Sequence, residues 1–362
     1  MAEPRPVHRR RPGGRGRPSL RIRCLPRAGG GRSRCGVVER TRRASAQGPS
    51  ISHLVNGSTG SIGMTTNYPQ VPWTDEQWAL VTQTVQKEAS RARVAATFLP
   101  LYGPLPPDTD FVRREALDYD PRPPTTEPQR IVVDDISTVP LATLYVKVWL
   151  RGAQMADPNL TSALQMFRRA ANVLARLEDA VVFQGQAKAN QGPSDGTATA
   201  GLPNIWGIIG GSECEGLLQA ARGSQVEYLK ASHGTSREAR GLVHQVSARI
   251  GDLESKGHLG PFAVVLGETL FSDAQNPSGS LVLPSDRIIP FLGGGPLLRS
   301  STLPDDEGIV VALGGAPIDL VVACDLSVGF LQVTEEPKFL FRVHEKIRLR
   351  IKEEGAIEHL IR

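Results

Sequence analysis

The sequence predicts an α+β fold, and three patterns carry that expectation. They are a long amphipathic helix over residues 157–184, a long strand with one apolar face over 339–352, and a series of short apolar runs broken by Gly and Pro clusters between them. The first sixty-odd residues stand outside this pattern. Residues 1–50 contain 14 Arg and no Lys against only Glu3 and Glu39, a balance of +12, whereas 51–362 carry 28 basic and 35 acidic residues, a balance of −7. A stretch so rich in Arg, Gly and Pro has too few apolar side chains to bury a core. Residues 1–63 are therefore expected to be a disordered extension outside the native protein, with Met64 as a conventional start. An arginine-rich arm for nucleic acid or another anionic surface is the alternative.

The fold proper opens at Trp73. Thr74 stands as an N-cap, Gln77 as its capping-box partner, and Trp73 is placed to staple onto Trp78. The helix is expected to reach about Ala96, with Trp78, Val81, Val85, Ala89 and Ala92 along one face. From Leu99 to Gln129, eight prolines exclude a regular helix and any central strand. A loop of that length belongs in a compact domain only when it reaches another subunit. With strands expected at 131–133 and 141–151, it reads as an extended two-stranded arm. In the second strand Ala142, Leu144, Val146, Val148 and Leu150 alternate with Thr143, Tyr145, Lys147, Trp149 and Arg151.

The long helix has legible ends: Asp157 as N-cap, Pro158 at the first helical position and Gly185 just past the last periodic residue. That makes about 27 residues, about 40 Å at the α-helical rise. Leu160, Leu164, Phe167, Ala171, Leu174 and Val181 mark its buried stripe. It closes as Leu177-Glu178-Asp179-Ala180-Val181-Val182-Phe183-Gln184-Gly185, two acids among apolar residues. Residues 192–211 then read as loop, Thr235 and Glu238 open a helix to Gly257, and apolar runs follow at 262–266, 287–291, 309–313 and 318–324. In the last long strand Phe339, Phe341, Val343, Ile347, Leu349 and Ile351 are odd-numbered, with Arg342, His344, Lys346, Arg348, Arg350 and Lys352 between them. One face is apolar for about 13 residues, about 43 Å, and the other reads as a solvated row of charge.

The sequence offers little to catalysis. Gly293-Gly294-Gly295-Pro296 lacks the Gly-Lys-Ser/Thr of a phosphate loop, Ser232-His233 has no nucleophile elbow, and His344-Glu345 belongs to the charged strand. Glu178 and Asp179, consecutive on a helix, point about 100° apart, the wrong geometry for sharing a substrate; pairing with arginines is the expected role. Cys214 and Cys324 are isolated and Cys24 and Cys35 lie in the extension, so neither a zinc spacing nor a disulfide framework appears. No catalytic residue, metal site or cofactor is expected. A reducing, cytoplasmic setting fits the cysteines, and no stretch approaches the roughly 20 apolar residues that span a bilayer.

Four segments in order carry a family resemblance: 177–185 as quoted, Gly201-Leu202-Pro203, Gly260-Pro261-Phe262-Ala263-Val264-Val265-Leu266, and Asp325-Leu326-Ser327-Val328-Gly329-Phe330 before the long strand. Together they resemble the encapsulins, prokaryotic nanocompartment shell proteins earlier described as linocin-like bacteriocins, over roughly residues 70–361. The resemblance implies the fold of tailed-phage major capsid proteins. Residues 64–98 would form an N-terminal arm and helix, 99–151 an extended loop, 152–224 with 325–362 a peripheral domain on a long spine helix, and 225–324 an axial domain. Glu178, Asp179, Phe183 and Gly185 would be its structural signature.

The function so implied is a self-assembling icosahedral shell, enclosing a cargo enzyme held by its C-terminal targeting peptide. A phage or prophage capsid packaging DNA is the alternative. Cargo of ferritin-like, peroxidase or haemerythrin-like type is implied, with no membrane partner and no nucleic acid expected. The implied groove for the cargo peptide is Trp78, Val81 and Val85 with Phe339, Phe341 and Val343, against the plainer reading that all six are core. Asn276, Pro277, Ser278, Gly279 and Ser280 lie where the family places its five-fold pore loops. Some relatives bind flavin on the shell wall, but no local pattern here supports it.

Overall fold

The computed structural model describes residues 71–119, 131–190, 202–211, 214–223, 241–277, 282–336 and 338–362. The N-terminal extension, Thr235, Glu238 and the Ser232-His233 pair lie outside the described residues. Two sheets organise the chain. The larger has five strands in the order Leu101–Tyr102, Ile318–Val333, Lys338–Ile351, Ala142–Arg151, Trp206–Gly210, the first pair parallel and the others antiparallel. The smaller runs Ile357–Ile361, Glu307–Ala312, Phe262–Leu266, Leu297–Arg299. The α+β expectation therefore holds, and the 14-residue strand Lys338–Ile351 pairs along both edges at the centre of the larger sheet.

The first helix is Asp75–Ala92. Its capping box is complete: Thr74 Oγ1 accepts from the Gln77 N–H at 3.3 Å, and Gln77 Oε1 accepts from the Thr74 N–H at 3.0 Å. Trp73 packs edge-on against Trp78 with ring centroids 5.1 Å apart, the expected staple. Val81, Val85 and Ala89 face the core, against the long helix and strand Ile318–Val333. The helix stops four residues short of Ala96, because Arg93 turns to extended backbone and a 3₁₀ turn follows at Ala95–Thr97.

The long helix is Thr161–Gln184, 24 residues or about 36 Å, and it starts later than Pro158. Leu160 adopts a left-handed conformation at φ 50°, and the Asp157 carboxylate accepts from the Asn159 and Thr161 N–H groups at 3.0 and 2.8 Å. Asp157 thus caps from one turn upstream, ordering a bend rather than opening the helix. At the far end Gly185 takes φ 88°, and a Cβ there would sit 2.9 Å from the Gly216 nitrogen and 3.0 Å from the Cys214 carbonyl oxygen. The closing turns depart from one-sided amphipathicity: every residue from Leu177 to Phe183 is buried, both acids included.

The arm differs from the expected single ribbon. Two short antiparallel ribbons build it, Phe111–Arg113 with Thr138–Pro140 and Ala116–Tyr119 with Ile131–Asp134, while Ala142–Arg151 belongs to the larger sheet. The even face of Lys338–Ile351 is correspondingly not solvated throughout. Arg348 and Arg350 are buried where the arm's base crosses the sheet. Arg350 makes a two-pronged pair with Asp319 at 2.8 and 2.7 Å and reaches Glu115 at 3.0 Å, while Lys346 pairs with Asp110 at 2.6 Å.

The smaller sheet packs against helices Leu242–Ser255, Glu268–Ala274 and Pro284–Ile288, with Val246, Ile250, Leu253, Val264, Leu266 and Val310 in its core. The run 287–291 is helical, because Pro284 starts a short helix that passes directly into a 3₁₀ turn. The larger sheet takes in the chain from Ile318, and Ile357–Ile361 returns to the smaller one.

Candidate functional site

Around the C-terminal end of the first helix, residues distant in sequence meet in one buried joint. Arg93 directs three nitrogens at three acids: Nε lies 2.5 Å from Glu178 Oε2, Nη1 2.9 Å from Asp325 Oδ1, and Nη2 2.5 Å from Glu345 Oε2. Glu178 and Glu345 are 1% and 0% exposed. Asp179 faces differently, as the 100° offset requires: its Oδ1 accepts from the Val94 and Ala95 N–H groups at 3.0 and 2.8 Å, taking the place of helical carbonyls where the first helix stops. The long helix, the strand pair and the end of the first helix are fastened at one point.

The electrostatics follow from burial. Loss of water raises the pKa of Glu178 even with the Arg93 charge beside it. Burial and then the Glu178 charge push Glu345 well above the usual carboxylate range, with Arg93 opposing. Burial and the Glu178 charge likewise raise Asp179, against the Ala95 and Val94 N–H bonds. Burial works against the Arg93 charge, but Glu345, Glu178 and Asp325 outweigh it and raise its pKa. Two acids sealed from solvent and tied to a guanidinium form a fastening rather than a reaction centre.

The arginine partner expected for the acids is found for Glu178, in Arg93, whereas Asp179 is held by the Val94 and Ala95 N–H groups instead. Glu345, treated above as part of a solvated charged strand, is a correction: it is odd-numbered and lies on the buried face between Val343 and Ile347. The other two signature residues sit at the same helix end, Phe183 stacked on Phe98 at 6.4 Å and Gly185 closing the helix.

The six groove residues do not share one open surface. Val81, Val85, Phe341 and Val343 are fully buried in the chain's own core, and only Trp78 and Phe339 are partly exposed. Phe341 is the hub of an aromatic cluster, stacked on Trp73 at 5.0 Å and meeting Phe167 and Phe330 edge-on at 5.5 and 5.4 Å. A shallow depression of about 770 Å³ opens nearby, lined by Trp149, Gln332, Val333, Thr334, Glu335, Glu336 and Lys338, none of them among the six. Asn276 and Pro277 are exposed after helix Glu268–Ala274, whereas Ser278, Gly279 and Ser280 lie outside the described residues. Among the described residues no helix is long and apolar enough to cross a membrane, and no His, Cys, Asp and Glu group has the arrangement of a metal site.

The family described as encapsulating protein for peroxidase matches residues 64–193 and 209–348, well over half of the chain. The type 1 encapsulin shell protein EncA of Myxococcus xanthus is 26% identical over 301 residues, covering 79% of this chain and 92% of EncA. Among solved structures, the virus-like particle of Pyrococcus furiosus is similar with a TM-score of 0.51 at 16% identity, covering 79% of this chain and 99% of that one. The SrpI encapsulin of Synechococcus elongatus follows with a TM-score of 0.46 at 11% identity, covering 74% and 86%. The fold is shared with that virus-like particle, and with the family match over residues 64–193 and 209–348 the chain belongs to the encapsulin shell proteins.

Proposed function

We propose that copies of this chain close into an icosahedral shell in the cytoplasm, enclosing an enzyme held by its C-terminal peptide. The observation that carries the assembly is the arm. Phe111 and Ile131 are 61% and 66% exposed on ribbons only three or four residues long, and Ile136 is 90% exposed in the turn between Ile131–Asp134 and Thr138–Pro140. Apolar ribbons of this kind are stable only when another surface covers them, and a neighbouring copy is the surface a shell supplies. In this reading the long helix and five-stranded sheet make the peripheral domain, and the four-stranded sheet with its helices makes the axial domain. Asn276 and Pro277 line the five-fold opening; Asp273 beside them is paired with Arg362 at 3.0 Å, which leaves the rim with little charge to filter ions.

Trp78 and Phe339 are the groove residues suited to anchor an extended apolar peptide, because only they keep accessible apolar surface. The chain's part is structural, with no catalytic step of its own. Negative-stain microscopy and size-exclusion chromatography of the purified full chain test the assembly. Closed, uniform particles are expected, and monomers or open sheets would refute it. Co-expression with a ferritin-like, peroxidase or haemerythrin-like protein bearing its native C-terminal tail tests the cargo. Trp78→Ala and Phe339→Ala should lower the co-purified amount while leaving particles intact. Particles that hold nucleic acid instead, seen as a raised 260/280 absorbance ratio, would favour the capsid alternative.

A further inference from the structure

The arm joins the larger sheet at a point where one buried cation serves both. Arg350 stands opposite Asp319 in the register of the two long strands, and its Nε and Nη2 meet the two oxygens of that carboxylate at 2.8 and 2.7 Å. The remaining nitrogen turns to the arm: Nη1 lies 3.2 Å from the Arg113 carbonyl oxygen and 3.0 Å from Glu115 Oε2. Tyr102 of the edge strand covers the guanidinium, its ring centroid 4.7 Å from Cζ. Glu115 occupies the break between the arm's two ribbons. Ladder pairing stops at Arg113 with Thr138 and resumes at Ala116 with Asp134, leaving Arg114 and Glu115 on the outgoing side and Asp135, Ile136 and Ser137 on the returning one. Glu115 takes φ 53°, a left-handed conformation that a residue with a side chain adopts at a cost. The base of the outer ribbon is tied to the body by the Glu115 carboxylate and by the Leu117 N–H, which donates to the Lys352 carbonyl at 2.8 Å.

We propose that Glu115 is the hinge of the arm's outer ribbon and Arg350 the positioning residue that fixes its angle; with a neighbouring copy covering the arm, as proposed above, this ion pair sets the angle at which two copies meet. The break has the form of a hinge, two residues facing three, with one of them already in a sparsely used backbone conformation. The outer ribbon Ala116–Tyr119 reaches about 13 Å, so a swing of about 10° at its base moves its end about 2 Å. That is enough to undo a close-packed contact. Copies joined head to tail close into a shell only when every junction repeats the same rotation. The charges let the pair serve position without carrying the fold. Arg350 and Asp319 still face each other once Glu115 is gone, and Asp319 also holds Lys352 at 2.8 Å, so removing the hinge carboxylate strands no buried ion.

Full chains carrying Glu115→Gly and Glu115→Gln separate position from fold. Glycine keeps the left-handed backbone and drops the carboxylate, whereas glutamine keeps an acceptor of the same length for Arg350. Unfolding followed by tryptophan fluorescence should give both variants the midpoint of the parent, while sedimentation velocity and negative-stain microscopy read the particles. The expected result is one uniform closed particle for the parent, a broadened size distribution with open sheets for Glu115→Gly, and a distribution closer to the parent's for Glu115→Gln. Particles of Glu115→Gly as uniform as the parent's overturn the hinge and leave the shell reading intact. Monomers from the parent itself overturn both. A fall in unfolding midpoint that accompanies the loss of uniformity assigns the pair to stability and overturns the proposal as well.

Discussion

The first helix is fastened at its two ends by opposite means. At its start, Trp73, Trp78, Phe167, Phe330 and Phe341 interlock with centroids 5.0–6.2 Å apart. At its end, one guanidinium and four carboxyls meet with Glu178 and Glu345 sealed inside. The aromatic end gains from area and shape, which tolerate gradual loss and carry no charge. The charged end gains only if every partner is present, because each buried ion depends on the others to offset desolvation. One end adheres, and the other is conditional.

Removing one partner at each end separates the two mechanisms. Arg93→Ala should have the largest effect, about 3–5 kcal/mol, since it strands buried carboxyls. Unfolding followed by tryptophan fluorescence should show a loss that varies with pH. Phe341→Ala should cost a similar amount, about 3–5 kcal/mol, by emptying the hub of the aromatic cluster, but with no pH dependence beyond that of the parent chain. If the two variants share one pH profile, the contrast between the ends is wrong. Gly185→Ala should cost about 1–3 kcal/mol through strain at positive φ and the contact with Gly216, seen as a lower melting temperature. Thr74→Ala should be the mildest at about 1 kcal/mol, the value of one N-cap, and should leave the pH profile untouched.

What the sequence made legible follows from how local each signal is. The capping box at Thr74, the Trp73–Trp78 staple, the Gly185 stop and the alternation of 142–151 are written within a few residues, and each formed. The stop of the first helix was decided by a group far away. Asp179, 84 residues from Ala95, takes the N–H groups that would have continued the first helix. Strand partnership, which put Ala142–Arg151 in the body rather than the arm, is a property of the whole sheet.

The groove residues failed to share a surface for a related reason. Periodicity at Val81, Val85, Phe341 and Val343 reports burial but cannot say whether the covering partner is this chain or another. Glu345 was readable and overlooked. It is the one charged residue in the odd series Phe339, Phe341, Val343, Ile347, Leu349, and a single ion on an apolar face needs a counter-ion. Its partner, Arg93, carried no comparable signal, standing just past a helix among other basic residues.

The return of Ile357–Ile361 to the smaller sheet sets an order of events during synthesis. Glu307–Ala312 pairs with Phe262–Leu266 on one side and with Ile357–Ile361 on the other, so its second edge stays open until residue 361 has emerged from the ribosome. The intervening span 313–356, which includes both long strands, must be made first. A nascent chain therefore carries an unsatisfied strand edge, a site for chaperone capture or mispairing with a neighbouring nascent chain. Completion of the smaller sheet is thus postponed until both long strands of the larger one have been made.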